Sequence, residues 1–268
     1  MQPIFSRSFF LTPGLCNARR ELPVPQLVSQ IIETATEHAN LLGIGFKKMT
    51  PMRIGWVLSR LTLEMQRYPK FNEHYTVTTW VESWNRHFSV RDFAVTDGEG
   101  REIGYARSIW MVIDLESHEN VGTGALECPP EIVTTTLSCP IARQAKHPVF
   151  EPDRTADYTF RYTDIDFYRH VNTVRYVELL LNQFPLDRYD HYYVGRLEMA
   201  FQREARFGEQ VQIGILTSPS QRESHSSEKD PTAQSPSSSQ CESEILENME
   251  IKRGSDAILN ARIFFRHS

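Results

Sequence analysis

Arg60-Leu-Thr-Leu-Glu-Met-Gln-Arg67, continuing to Phe71 and Glu73, recurs as Arg196-Leu-Glu-Met-Ala-Phe-Gln-Arg203, continuing to Phe207 and Glu209. At a constant offset of 136, Arg60/Arg196, Leu61/Leu197, Arg67/Arg203, Phe71/Phe207 and Glu73/Glu209 are identical. Further along, Ile103, Ala106 and Arg107 match Ile258, Ala261 and Arg262 at an offset of 155. The 19 residues gained between the two matches fall at about 218–243, where Ser, Pro, Gln and charges leave too little apolar content to order the chain. Two matched units with period-2 alternation imply a duplicated domain built on a sheet. The reading is an N-terminal domain over 1–147 and a C-terminal domain over 148–268, the second interrupted by a disordered insertion.

Each unit reads as one helix followed by strands, an α+β class. In the first, Leu27, Val28, Ile31, Ile32, Ala35, Ala39 and Leu42 recur at helical spacing, with Pro25 near the start and Gly43 at the stop. Strands follow near 56–65, 75–84, 88–96 and 103–114, with Asp97-Gly98 as a turn. In the second, Val174, Val177, Leu181 and Phe184 form the helical stripe, Pro185 ends it, and strands fall near 194–202, 210–217, 244–252 and 257–266.

Just before the second helix lies Tyr162-Thr-Asp-Ile-Asp-Phe-Tyr-Arg-His-Val-Asn-Thr-Val-Arg-Tyr176. Asp164, Asp166, His170 and Asn172 are groups able to position water, move a proton and set a helix N-terminus beside a carbonyl. The bland alternatives are a turn-forming Asp164, an N-capping Asn172 and a hydrogen-bonded histidine. The first unit has Cys16-Asn-Ala-Arg-Arg-Glu21 ahead of its helix, and Tyr68 at the position of Glu204, so only the second keeps a reactive set. That predicts one active site per chain.

The run resembles the signature of the acyl-acyl carrier protein thioesterases, Asp-x-Asp-x-Asn-x-His-Val-Asn, with Tyr168 where that family usually has Asn. Trp56-Val-Leu-Ser-Arg60, Arg67-Tyr-Pro69, Thr79-Trp80, Arg91-Asp-Phe93, Ser108-Ile-Trp110 and Asp114 extend the resemblance, as in a bacterial relative of the plant fatty acyl-ACP thioesterases. It implies a double hot-dog, two tandem units each with a long helix wrapped by a curled antiparallel sheet. The implied activity is hydrolysis of fatty acyl-acyl carrier protein to free fatty acid in fatty acid biosynthesis. An acyl-CoA thioesterase and a non-catalytic acyl or carrier-protein binder stay open, since fold alone does not fix the reaction. Catalytic roles transfer to Asp166, His170 and Glu204, with Tyr168 at the altered position and Asn172 as a site residue or helix cap.

Glu204 lies in Phe201-Gln-Arg-Glu-Ala205, where plant members have Glu followed by Cys. With Ala205 there, a cysteine nucleophile has no place. Activation of water by Glu204 with His170, or a carboxylate nucleophile passing through an anhydride, both fit, with backbone N–H groups at the start of the Asn172 helix receiving the oxyanion. Neither route requires a cofactor or metal. Ile31, Ala35, Trp56 and Leu58 are the expected acyl-tunnel lining, and Lys47, Lys48 and Arg53, or Arg203 and Arg206, the docking groups for an acidic carrier protein.

A net charge of -5 argues against a nucleic-acid binder. Cys16, Cys128, Cys139 and Cys241 have no metal-ligand spacing and read as reduced thiols, and the apolar run Phe9-Phe10-Leu11 is too short for a membrane span. These features predict a cytoplasmic protein. A fused pair of units is compatible with a monomer or a homodimer.

Overall fold

The computed structural model of the chain describes residues 2–126, 130–219 and 244–268. Cys128, Cys241 and the Ser-rich stretch from 220 to 243 lie outside the described residues. The first half contains β1 (Ile4–Phe10), α1 (Val24–Leu41), α2 (Phe46–Met49), β2 (Ile54–Met65), β3 (His74–Trp84), β4 (Ser89–Asp97) and β5 (Glu102–Asp114). The second contains β6 (Arg154–Thr159), α3 (Thr173–Leu181), α4 (Leu186–His191), β7 (Tyr192–Phe201), β8 (Gln210–Pro219), β9 (Ile245–Arg253) and β10 (Asp256–His267).

The strands form one antiparallel sheet in the order β1-β3-β4-β5-β2-β7-β10-β9-β8-β6. Read inward from either edge, each strand of one half meets its counterpart in the other, and the halves join where β2 pairs with β7. At that seam Thr62 lies opposite Glu198, two positions separated by the repeat offset of 136. The local twofold of the duplication therefore passes through this pair, and the seam is a sequence repeat paired with itself.

β1 and β6 are additions to the expected strands. Both are edge strands with little buried surface, so their period-2 signal is thin: β6, Arg-Thr-Ala-Asp-Tyr-Thr, exposes alternate residues and half-buries only Ala156 and Tyr158. α1 runs 18 residues, with Pro25 in its first turn and Gly43, at φ 73°, just past its end. α3 is shorter than the expected long helix, nine residues ending at Leu181, and Pro185 caps a separate α4.

The apolar face of the sheet is set by alternation. Leu61, Leu63, Leu197 and Met199 point to one side and join Leu27, Val28 and Ile31 of α1 and Val177 and Leu180 of α3 in one core. The intervening residues put charge on the other side. Arg196 pairs with Glu64 at 2.6 Å and Glu198 at 2.7 Å, and Arg107 with Asp92 and Glu82 at 2.9 Å each. The connection between the halves crosses this charged face: Arg107 and Arg196 donate to the carbonyls of Ile141 and Ala142, and Gln144 Nε2 to that of Leu61. No helix among the described residues is long and apolar enough to cross a membrane.

Candidate active site

The loop leading into α3 is shaped by its own carboxylates. Asp164 is buried; its Oδ2 accepts from the Tyr158 hydroxyl at 3.0 Å and the Arg161 amide at 2.7 Å. It anchors the turn and does not line the cavity described below. Asp166 Oδ1 accepts from the amides of Tyr168 at 2.9 Å and His170 at 3.1 Å, and Arg169 takes φ 67° between them. This closes a five-residue loop that projects the His170 side chain. Asn172 Oδ1 accepts from the Val174 amide at 2.9 Å, the geometry of an N-cap.

Glu204 reaches the same place from the end of β7. The amides of Gln202 and Arg203 both bond to the Ile258 carbonyl, and the Ala205 carbonyl accepts from Val171 at 2.8 Å. Residues 202–206 are thereby laid beside 170–171, with Ala205 wholly buried. Glu204 Oε2 lies 3.1 Å from His170 Nε2. It also lies 3.2 Å from His118 Nδ1, a residue of the first half outside the set expected from the sequence.

His118 ends a turn after β5 in which Asp114 Oδ1 accepts from the amides of Glu116 and Ser117, and it sits at φ 58°. Asp114-x-x-x-His118 and Asp166-x-x-x-His170 are thus the same device, an aspartate folding a short loop behind a histidine. That shared spacing was the available signal. The site is correspondingly not confined to the second half, since the two imidazoles flank one carboxylate oxygen with ring centroids 5.8 Å apart.

Tyr168 is 38% exposed and contacts Asp166 through its backbone amide. Burial, then the Asp166 charge, pushes its phenol above the usual tyrosine range, so it remains protonated at neutral pH. Tyr176 of α3 is nearly buried beside Glu204 and Ala205, with no well-formed hydrogen bond to its hydroxyl.

These groups open onto a cavity of about 1860 Å³. Ala35, Trp56 and Leu58 line it as expected from the sequence, whereas Ile31 does not. Ile31 packs into the core, and the helical stripe facing the cavity is Ile32, Ala35, Thr36 and Ala39. The rim is aromatic and basic: Phe46, Phe167 and Phe207 are 50%, 74% and 67% exposed, and Arg169, Arg203 and Arg206 stand among them. Lys47 and Lys48 lie on exposed α2 positions beyond Phe46, while Arg53 is 2.9 Å from Glu116.

Residues 3–123 match the family model of the acyl-ACP thioesterase N-terminal domain and residues 150–262 that of the C-terminal domain. The chain belongs to the acyl-ACP thioesterase family. Among its relatives are the chloroplastic palmitoyl-acyl carrier protein thioesterase of Gossypium hirsutum, 28% identical over 220 residues covering 75% of this chain and 52% of that protein, and the dodecanoyl-[acyl-carrier-protein] hydrolase of Cinnamomum camphora, 25% identical over 219 residues covering 75% and 56%. The chain spans about half the length of these plant members. The crystal structure of an acyl-ACP thioesterase from Bacteroides thetaiotaomicron superposes with a TM-score of 0.79 at 28% identity, covering 98% of each chain. The 12:0-ACP thioesterase of Umbellularia californica shares the fold at 17% identity, with a TM-score of 0.79 and coverage of 99% and 94%.

Proposed function

We propose that this protein hydrolyses the thioester of fatty acyl-acyl carrier protein, releasing the free fatty acid for lipid synthesis. The observation that carries this reading is Glu204 held between His170 and His118 over an apolar cavity. A thioester carbonyl needs only a placed water, a base and an oxyanion donor. Glu204 takes a proton from water as its oxygen attacks the carbonyl carbon. The tetrahedral oxyanion forms near the start of α3, where the Val174 and Arg175 amides are already bonded to Asn172 and the Thr173 amide, among the described residues, is left to donate. Breaking of the C–S bond expels the thiolate, which takes its proton from an imidazole that Glu204 recharges. Asp166 acts by holding the His170 loop, and Asn172 by capping the helix.

The division of labour we propose gives the acyl chain to residues 1–147 and most of the chemistry to 148–268, with His118 crossing between them. The rim of exposed phenylalanines and arginines suits a broad contact with an acidic carrier protein better than a compact site for nucleotide phosphates. Among the described residues Cys16 and Cys139 form no disulfide, and burial is the main cause that raises the Cys139 thiol to about 11. The seam already supplies the pairing of two units, so a monomer suffices.

Thiol release from a panel of acyl chains on carrier protein and on coenzyme A tests the reading, with Asp166→Ala alongside. Preference for carrier-linked chains, with the rate reduced at least tenfold in Asp166→Ala, is expected. Acyl-carrier binding without thiol release by the wild-type protein would make it a binder instead.

A further inference from the structure

The inner face of β4 bears a charge that the fold leaves unmatched. Phe93 and Val95 are wholly buried in the core, and Arg91 continues the same face at 5% exposure. Its row runs across the sheet: Arg91 is opposite Ser108, Ser108 opposite Leu61, and Leu61 opposite Met199. Arg91 Nη1 donates to His38 Nδ1 at 2.8 Å and to Thr79 Oγ1 at 3.3 Å. His38 Nε2 in turn faces the Gln2 carbonyl at 2.9 Å, so it carries the ring proton and the imidazole is neutral. Burial, reinforced by the Arg91 charge, holds the His38 pKa down to about 4.

The pair therefore has one charge, that of the guanidinium, which burial lowers only to about 10. Among the described residues no carboxylate lies within ion-pairing distance of Arg91, and its Nε and Nη2 donors have no protein acceptor. Leaving an ionised group buried and unpaired is costly, and such groups are seldom left without purpose. Arg91 also lines the cavity, with Ser89, Trp84 and Trp110 beside it there. Three strand spacings separate its row position from Met199, and Glu204 follows Met199 by five residues, which puts the Arg91 backbone on the order of 20 Å from that of Glu204. That is the span of an extended fatty acyl chain.

We infer that the cavity accepts acyl chains whose far end carries an oxygen acceptor, a carboxylate above all, seated on the free edge of the Arg91 guanidinium. A carboxylate matches both the charge and the planar fork, and a hydroxyl matches the donors alone. The inference rests on the thioesterase reading for the reacting end of the chain.

The test compares methyl-, hydroxyl- and carboxyl-terminated chains of equal length on carrier protein, in the wild-type protein and in Arg91→Met and Arg91→Lys. Wild type should hydrolyse the carboxyl-terminated chain with kcat/KM at least equal to that of the methyl-terminated one. Arg91→Met should lower the ratio of kcat/KM for the carboxyl-terminated chain to that for the methyl-terminated chain tenfold or more, and Arg91→Lys should restore part of it. Binding of a free long-chain dicarboxylic acid against the matched monocarboxylic acid, followed by tryptophan fluorescence, separates the two readings: selective binding without hydrolysis fails only the thioesterase reading. Rejection of carboxyl-terminated chains by wild type, in both assays, overturns the inference without needing a folded variant. So does an Arg91→Met protein that merely accepts longer methyl-terminated chains, which would make Arg91 a floor.

Discussion

The two halves bury opposite charges at equivalent places and treat them differently. Arg91 lies opposite Ser108, and Glu247 lies opposite Ile263, which is Ser108 displaced by the repeat offset of 155. Glu247 is wholly buried, but Arg188 of α4 reaches it at 2.9 Å and the Thr217 hydroxyl donates to it at 2.8 Å. Arg91 has a neutral histidine and one hydroxyl, and it faces the cavity. One scaffold has thus been closed electrostatically in the second half and left open in the first. The reactive positions divide in the other direction. Glu204 has Tyr68 as its counterpart, a buried residue whose hydroxyl donates across to the Val194 carbonyl of the second half at 2.8 Å.

Five substitutions probe this asymmetry. The largest effect belongs to Glu204→Gln, which removes the proposed base: thiol release should fall by roughly 10²–10⁴-fold, in the range expected for general acid–base catalysis, while the melting curve stays put. Next is Arg188→Leu. It strands Glu247 and should cost about 3–5 kcal/mol in denaturant unfolding, whereas Arg91→Met should cost only about 1–3 kcal/mol, because it deletes a charge with no carboxylate opposite it but leaves the buried His38 Nδ1 without a donor. Equal losses from both would erase the contrast between the halves. His118→Ala sharpens it from the catalytic side, with kcat reduced about tenfold, KM nearly constant and fold stability unchanged, as expected for a group acting on proton transfer. The smallest effect is assigned to Tyr168→Asn. Its backbone contact with Asp166 survives the change, and steady-state kcat should stay within about threefold of wild type.

Much of this was legible in the chain. The repeat at 60–73 and 196–209 marked the strands that meet at the seam, and alternation located eight of the ten strands among the described residues to within about two residues at each end. β1 and β6 escaped because an edge strand with polar alternate positions buries too little to leave a pattern. The loop at 162–176 announced a reactive composition, yet the roles within it depend on contacts. Asp164 is tied to Tyr158 and Arg161, and Asn172 to Val174, while only His170 of that set meets Glu204. His118 was hidden by distance along the chain, and its cue was the Asp-x-x-x-His spacing shared with the second half. Arg91 stood in the quoted Arg91-Asp-Phe93, but nothing in one sequence tells a guanidinium facing the core from one facing solvent. Its neighbour Asp92 points the other way, to Arg107.

In the proposed mechanism Glu204, flanked by imidazoles from both halves, activates water against a carrier-linked thioester. The decisive experiment is single-turnover hydrolysis of an acyl-acyl carrier protein by wild type and Glu204→Gln at matched saturation. Release of free acid by wild type, with the chemical step slowed by at least a hundredfold in the variant and binding of the acyl carrier unchanged, is the predicted result. Equal rates in the two proteins would contradict the account, because they would move the chemistry away from the one carboxylate on which the two halves converge.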